Sequence, residues 1–167
     1  GFESPATPVA PPEYYGAGDG WTPFGGGIYT INSTVGVPPN TGDQLLKMFG
    51  GCCSGAWQQF PCVPGQTWKG GGQVGAVNIE WIQADGNTQS TIIPYISNGT
   101  FTAASPQNVW TLQTITGMAP ADAAFARLVV ITGDFQPGGP GGAPFFDDAF
   151  FELTGPVRHA YTSGGGL

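Results

Sequence analysis

Charge is what this chain has least of. Lys, Arg, Asp and Glu make up 9% of its 167 residues, where a typical soluble domain has roughly 25%. The cations are Lys47, Lys69, Arg127 and Arg158, scattered through the sequence. They form no basic patch, and with a net charge of −7 nucleic acid is excluded as a partner. No apolar run approaches the length needed to cross a bilayer, so no membrane span is expected. The single histidine, His159, has no serine or cysteine motif around it. GxSxG, HExxH and a phosphate-binding loop are all missing, and the Gly runs at 25–27 and 70–72 read as turns that lead into no helix. No residue set carries a catalytic mechanism, so the expectation is a non-enzyme with no catalytic residues.

Cysteine is nearly as scarce. Cys52, Cys53 and Cys62 all fall in one stretch, GGCCSGAWQQFPCVPG, which reads as a loop. One disulfide is expected there, either Cys53–Cys62 or Cys52–Cys62. The odd thiol is then buried and free or bridged to another chain; a vicinal Cys52–Cys53 bond is the remaining option. The opening GFESP has neither an initiator Met nor a signal peptide. That fits a processed, secreted, extracellular chain, and a recombinant one equally.

What the chain has in excess is glycine (29) and proline (16). With apolar residues mostly β-branched or aromatic, this favours short strands and many turns. IYTINST (28–34) reads as a strand, and DQLLKMFGG (43–51) as a strand or a helical turn. QTWKG reads as a short strand. In VNIEWI, Val77, Ile79 and Trp81 alternate with Asn78, Glu80 and Ile82, so one face is buried. DGN supplies a turn, from which TQSTIIPYI returns as a second strand. NVWTLQTITG, ARLVVI and FFDDAFFEL follow, with Leu128 and Val130 facing opposite to Val129 and Ile131. Trp81 and Trp110 are assigned to the core. This spacing predicts an all-β, antiparallel two-sheet jelly-roll sandwich of about eight or nine strands over residues 1–155. An irregular Gly-rich tail covers 156–167.

Several segments resemble a known family in order and spacing. GFES at the start, Trp21 after a Gly-rich turn, VNIEWIQADG, NVWTLQTITGMAPADAAFARLVV and FFDDAFFEL are similar to the galactose-binding-like jelly roll. Carbohydrate-binding modules of bacterial polysaccharide hydrolases share that fold. The resemblance implies that the first strand lies near the last and that a structural calcium sits between them. Glu3 and Asp147 are then its ligands, with loop carbonyls and Asp148 as further candidates; calcium accepts such oxygens. Strand alternation sends Asp147 and Asp148 to opposite faces. The competing reading has Asp148 solvated and Asp147 bonded to backbone amides.

Two functions remain in view. Trp57, Phe60 and Trp68, with Gln58, Gln59 and Gln66 among them, suit a platform that stacks on sugar rings and bonds their hydroxyls. The same rings would serve equally as core. Glu80 faces solvent or a concave groove. The other function is self-assembly, since a charge-poor surface suits close packing of copies. Glycans on Asn32 or Asn98, in the NST and NGT motifs, would cover the same surface. The expectation is a secreted, self-assembling structural subunit of an extracellular filament or surface layer, a homopolymer of this chain. The alternative is a polysaccharide-binding module.

Overall fold

The computed structural model describes residues 2–4, 6, 13–25, 28–32, 37–48, 54–73, 76–99, 108–132 and 144–155. Among these there is no helix. Eleven strands form two antiparallel sheets. They are β1 (Glu13–Tyr15), β2 (Thr22–Phe24), β3 (Ile28–Asn32), β4 (Gln44–Met48), β5 (Gly55–Pro61) and β6 (Thr67–Gln73). β7 (Ala76–Ile82), β8 (Tyr95–Ser97), β9 (Leu112–Met118), β10 (Phe125–Ile131) and β11 (Phe145–Leu153) complete them. One sheet runs β1-β3-β4-β11-β6-β9 and the other β2-β5-β10-β7-β8. The antiparallel two-sheet sandwich is as expected.

The core lies between the sheets. Val77, Ile79 and Trp81 of β7 join Ala126, Leu128 and Val130 of β10, Leu46 and Met48 of β4, and Phe146 of β11. Phe2, just after the start, is fully buried against the Trp21 ring, 5.0 Å away. Burying a side chain such as Phe2 or Phe146 stabilises the fold by about 1.5–3 kcal/mol.

Four local readings of the sequence are corrected. The Cys/Trp segment is not a loop: residues 55–61 form β5, a strand between β2 and β10. Gly70, Gly71 and Gly72 are not a turn but the middle of β6. At Gly70 and Gly71 glycine is required because rings lie where side chains would stand. A Cβ on Gly71 would meet Gln113 O at 2.3 Å and the Phe150 ring at 2.8 Å; one on Gly70 would meet Leu128 at 2.7 Å and Phe151 at 2.9 Å. The return strand after the DGN turn is broken. Gln89 makes one bridge to Ile82, and pairing resumes only at β8, after Pro94. Trp110 is outside the core: it is half-buried and its indole N–H donates to Pro38 O at 3.0 Å.

The expected disulfides to Cys62 are not made. Cys62 is a free, buried thiol, and burial pushes its pKa up to about 11. It follows the C-terminal end of β5, whereas Ser54 precedes the other end. Seven strand residues at about 3.3 Å each separate those ends, far beyond the roughly 7 Å that a disulfide spans between Cα atoms. Cys52 and Cys53 lie outside the described residues, as do His159, Arg158 and the 156–167 tail.

Candidate functional site

Alternation along the five-stranded sheet fixes which side chains point away from the core. Phe60, Leu128 and Ile79 point inward, so their neighbours on each strand point outward. The register aligns Gln59, Arg127, Glu80 and Tyr95 as one row across β5, β10, β7 and β8. The adjacent row is Thr22, Trp57, Val129, Asn78 and Ser97.

Arg127 is the hub of this face. Its guanidinium lies over the Trp57 ring, 4.0 Å from the centroid. Its Nε and Nη2 donate to Gln59 Oε1 at 3.1 and 2.7 Å. Nη1 reaches Glu80 Oε2 at 3.5 Å, and Nη2 reaches Gly86 O at 3.5 Å. The turn at Asp85–Gly86 therefore borders the row. Asp85 holds that turn by accepting the Asn87 and Thr88 amides, at 3.0 and 2.8 Å.

The Arg127 and Glu80 side chains are 12% and 19% exposed. Burial raises the Glu80 pKa above its ordinary value, and the Arg127 charge only partly opposes this. Asn78 Oδ1 is buried without a hydrogen-bond partner. Tyr95 is 52% exposed. The face thus combines an oriented indole, an exposed phenol ring and amide, carboxylate and guanidinium groups. Aromatic rings can stack on the C–H face of a sugar, and the polar groups can pair with hydroxyls.

Only part of the expected platform lies here. Trp57 and Gln59 do, and Glu80 joins them. Phe60 and Trp68 do not: they pack between the sheets with Phe151. Trp68 and Phe151 stack at 4.7 Å, and Phe60 lies 6.2 Å from Trp68 and 5.7 Å from Phe151. Gln58 alternates to the Phe60 side of β5, near Gly20. Gln66 closes its own turn by accepting the Val63 amide at 2.9 Å. Arg127 and Tyr95 were not singled out from the sequence. Arg127 was within reach, because it alternates with the inward Leu128. Tyr95 was not, because the strand carrying it is short and irregularly entered.

The acidic residues gather elsewhere, around residues 40–44. Three residues of β11 advance from Asp147 to Phe150 while two of β6 advance from Gln73 to Gly71, a bulge. Asp148 sits within it at a φ of 49°, a left-handed conformation that Asp tolerates better than most residues. The expected alternation is thereby broken, and both acids reach one loop. Asp147 Oδ2 accepts the Asn40 and Thr41 amides at 2.7 and 3.1 Å, and Oδ1 accepts the Asp148 amide at 2.7 Å. Asp148 accepts the Asn40 side-chain amide at 2.6 Å and the Thr41 hydroxyl. From the other side, Glu3 accepts the Asp43 and Gln44 amides at 3.1 and 3.3 Å. The first and last segments do therefore meet at one loop.

Their bonding is that of an amide clasp. Among the described residues no group of three or more His, Cys, Asp or Glu is placed to hold a metal ion. The oxygens of Glu3 and Asp147 face N–H groups, whereas calcium needs a shell of free oxygens. In this arrangement they do not fit calcium. Asn98 is also engaged: its Oδ1 accepts the Val77 amide at 2.8 Å and its Nδ2 donates to Gln113 at 2.9 Å. That tie across the two sheets leaves its amide poorly placed to carry a glycan. Asn32 ends β3; Ser33 and Thr34 lie outside the described residues.

No protein-family model matches the chain, and no curated protein matches its sequence. Solved structures do. The enzymatically active domain of bacteriophage CBA120 tailspike protein 4 aligns over 81% of this chain and 20% of its own, with TM-score 0.58 and 11% identity. The N-terminal CBM22-1-CBM22-2 tandem domain of Paenibacillus barcinonensis Xyn10C aligns over 92% and 47%, with TM-score 0.54 and 13% identity. The CBM22-1-GH10 modules of Clostridium thermocellum endo-1,4-beta-D-xylanase 10B, complexed with xylohexaose, align over 82% and 26%, with TM-score 0.51 and 16% identity. The chain spans less than half the length of each. These likenesses show the fold, an antiparallel two-sheet jelly-roll sandwich like that of the CBM22 modules.

Proposed function

We propose that this domain is a non-catalytic, extracellular carbohydrate-binding module that holds a polysaccharide on the outer face of its five-stranded sheet. The observation that carries the reading is the Trp57 indole, oriented by the Arg127 guanidinium 4.0 Å from its centroid, with Gln59 and Glu80 on the same guanidinium. Trp57 supplies the stacking surface, and Gln59 and Glu80 bond hydroxyls. Arg127 holds these partners in register. The structural likeness to CBM22 modules supports this choice.

The self-assembling filament subunit gains no comparable support. Its sequence argument is the charge-poor surface, and the Gly-rich tail at 156–167 lies outside the described residues. The two readings separate in solution: the module elutes as a monomer, and the subunit as a polymer.

The test is retention on insoluble polysaccharides. Wild-type protein should be pulled down by at least one of xylan, cellulose and galactan. Trp57→Ala should lose retention while keeping its circular dichroism spectrum, and Trp57→Phe should regain part of it. Equal retention of Trp57→Ala and wild type would sink the assignment of this face.

A further inference from the structure

We infer that the bound glycan is an extended, neutral chain that crosses the strands from Trp57 to Tyr95; this rests on the carbohydrate-binding reading above. Tyr95 stands directly opposite Glu80 in the register and is 52% exposed. It shares the outer face with Trp57, three strands away through β10 and β7. Strand spacing of about 4.8 Å and a two-residue offset place the two Cα atoms roughly 16 Å apart. One sugar ring cannot touch both aromatics. A chain of several can, passing over Arg127 and Glu80 with an aromatic ring at each end.

The charges on that path select a neutral chain. Arg127 already bonds Gln59, Gly86 and Glu80. It has little left for a ligand carboxylate. Glu80 is a half-buried acid on the same path, and the chain as a whole carries −7. An anionic sugar there would meet an acid whose own charge is poorly solvated, and the described cation on the path, Arg127, is already engaged.

The experiment uses the whole chain and the soluble oligosaccharides, one to six units long, of whichever neutral polymer retains it. Calorimetry should show affinity rising about tenfold or more from two units to four and then levelling. Tyr95→Ala should flatten that rise, and Tyr95→Phe should keep most of it. Polygalacturonate should not retain the protein. Affinity independent of length, a Tyr95→Ala profile identical to wild type, or preference for polygalacturonate would each overturn the inference and leave the binding function standing. Failure to bind any polymer overturns the function itself, and this inference with it.

Discussion

Asp147 gives the sharpest test of how the first and last strands are joined. Its buried carboxylate accepts three backbone amides: Asn40, Thr41 and Asp148. Asp147→Asn keeps one acceptor oxygen and turns an NH2 group toward N–H donors, so at least one amide loses its partner. A hydrogen bond to a charged group contributes about 1.5–3 kcal/mol net. Against that, burial raises the Asp147 pKa, with Asp148 adding to the effect, so removing the charge relieves part of a penalty. The balance is a loss of about 1–2 kcal/mol for Asp147→Asn. Asp147→Ala strands all three amides and should cost about 3–5 kcal/mol.

The pH dependence follows with its sign. With the folded pKa above the ordinary 3.8, the folded state binds this proton more tightly than the unfolded state. Stability from this group is therefore greatest below 3.8. It falls as pH rises from there through the raised folded-state value, and then stays level. Urea unfolding across pH should show a larger fall in wild type than in Asp147→Asn, where Glu80, whose pKa burial also raises, keeps a fall of its own. A chelator should leave the wild-type midpoint unchanged, because amides rather than calcium hold the clasp. Asp147→Ala within 0.5 kcal/mol of wild type, less than one ordinary hydrogen bond of about 1 kcal/mol, would refute the clasp. A chelator-induced fall reversed only by calcium would restore the metal.

Two further outcomes check the interior. Gly71→Ala forces a methyl against Gln113 O and the Phe150 ring, so urea unfolding should show a loss of about 1–3 kcal/mol; a neutral effect would mean that β6 is not packed this way. Cys62, with its thiol pushed up to about 11, should resist a thiol reagent at pH 8 in native protein and react on unfolding. Prompt labelling of Cys62 in native protein would show that it is not buried.

The fold was legible wherever alternation was strict. VNIEWI placed Val77, Ile79 and Trp81 in the core from period alone, and Leu128 and Val130 were oriented by the same rule. Legibility failed where small or turn-forming residues sit inside strands. Gly70–Gly72 resemble a turn because nothing local records the Phe150 and Phe151 rings that lie against them. GAWQQFP resembles a loop beside its cysteines, yet Ala56 and Phe60 face one side and Trp57 and Gln59 the other. Once that segment is a strand, the proposed platform divides: Phe60 and Trp68 belong to the interior and only Trp57 remains outside. The acids show the opposite case. Alternation was the right rule for a regular strand, and a single extra residue overturned it.

The charged pair on the outer sheet face carries more weight because charge is so scarce in this chain. Arg127 is one of four cations in 167 residues, and it is largely withdrawn from water beside Glu80. Such a pair contributes little stability, since desolvation offsets much of the attraction, and apolar residues of similar size commonly serve as well. The raised Glu80 pKa is consistent with that cost. The core of the sandwich lies on the opposite side of the sheet from both residues. What the pair does achieve is geometric. It fixes the Trp57 ring and the Gln59 side chain on a rigid surface, the arrangement that the proposed carbohydrate-binding function uses. Replacing both residues with Leu and Val should therefore leave the unfolding midpoint near that of wild type while removing polysaccharide retention. A double variant that unfolds readily would place the pair in the service of the fold instead.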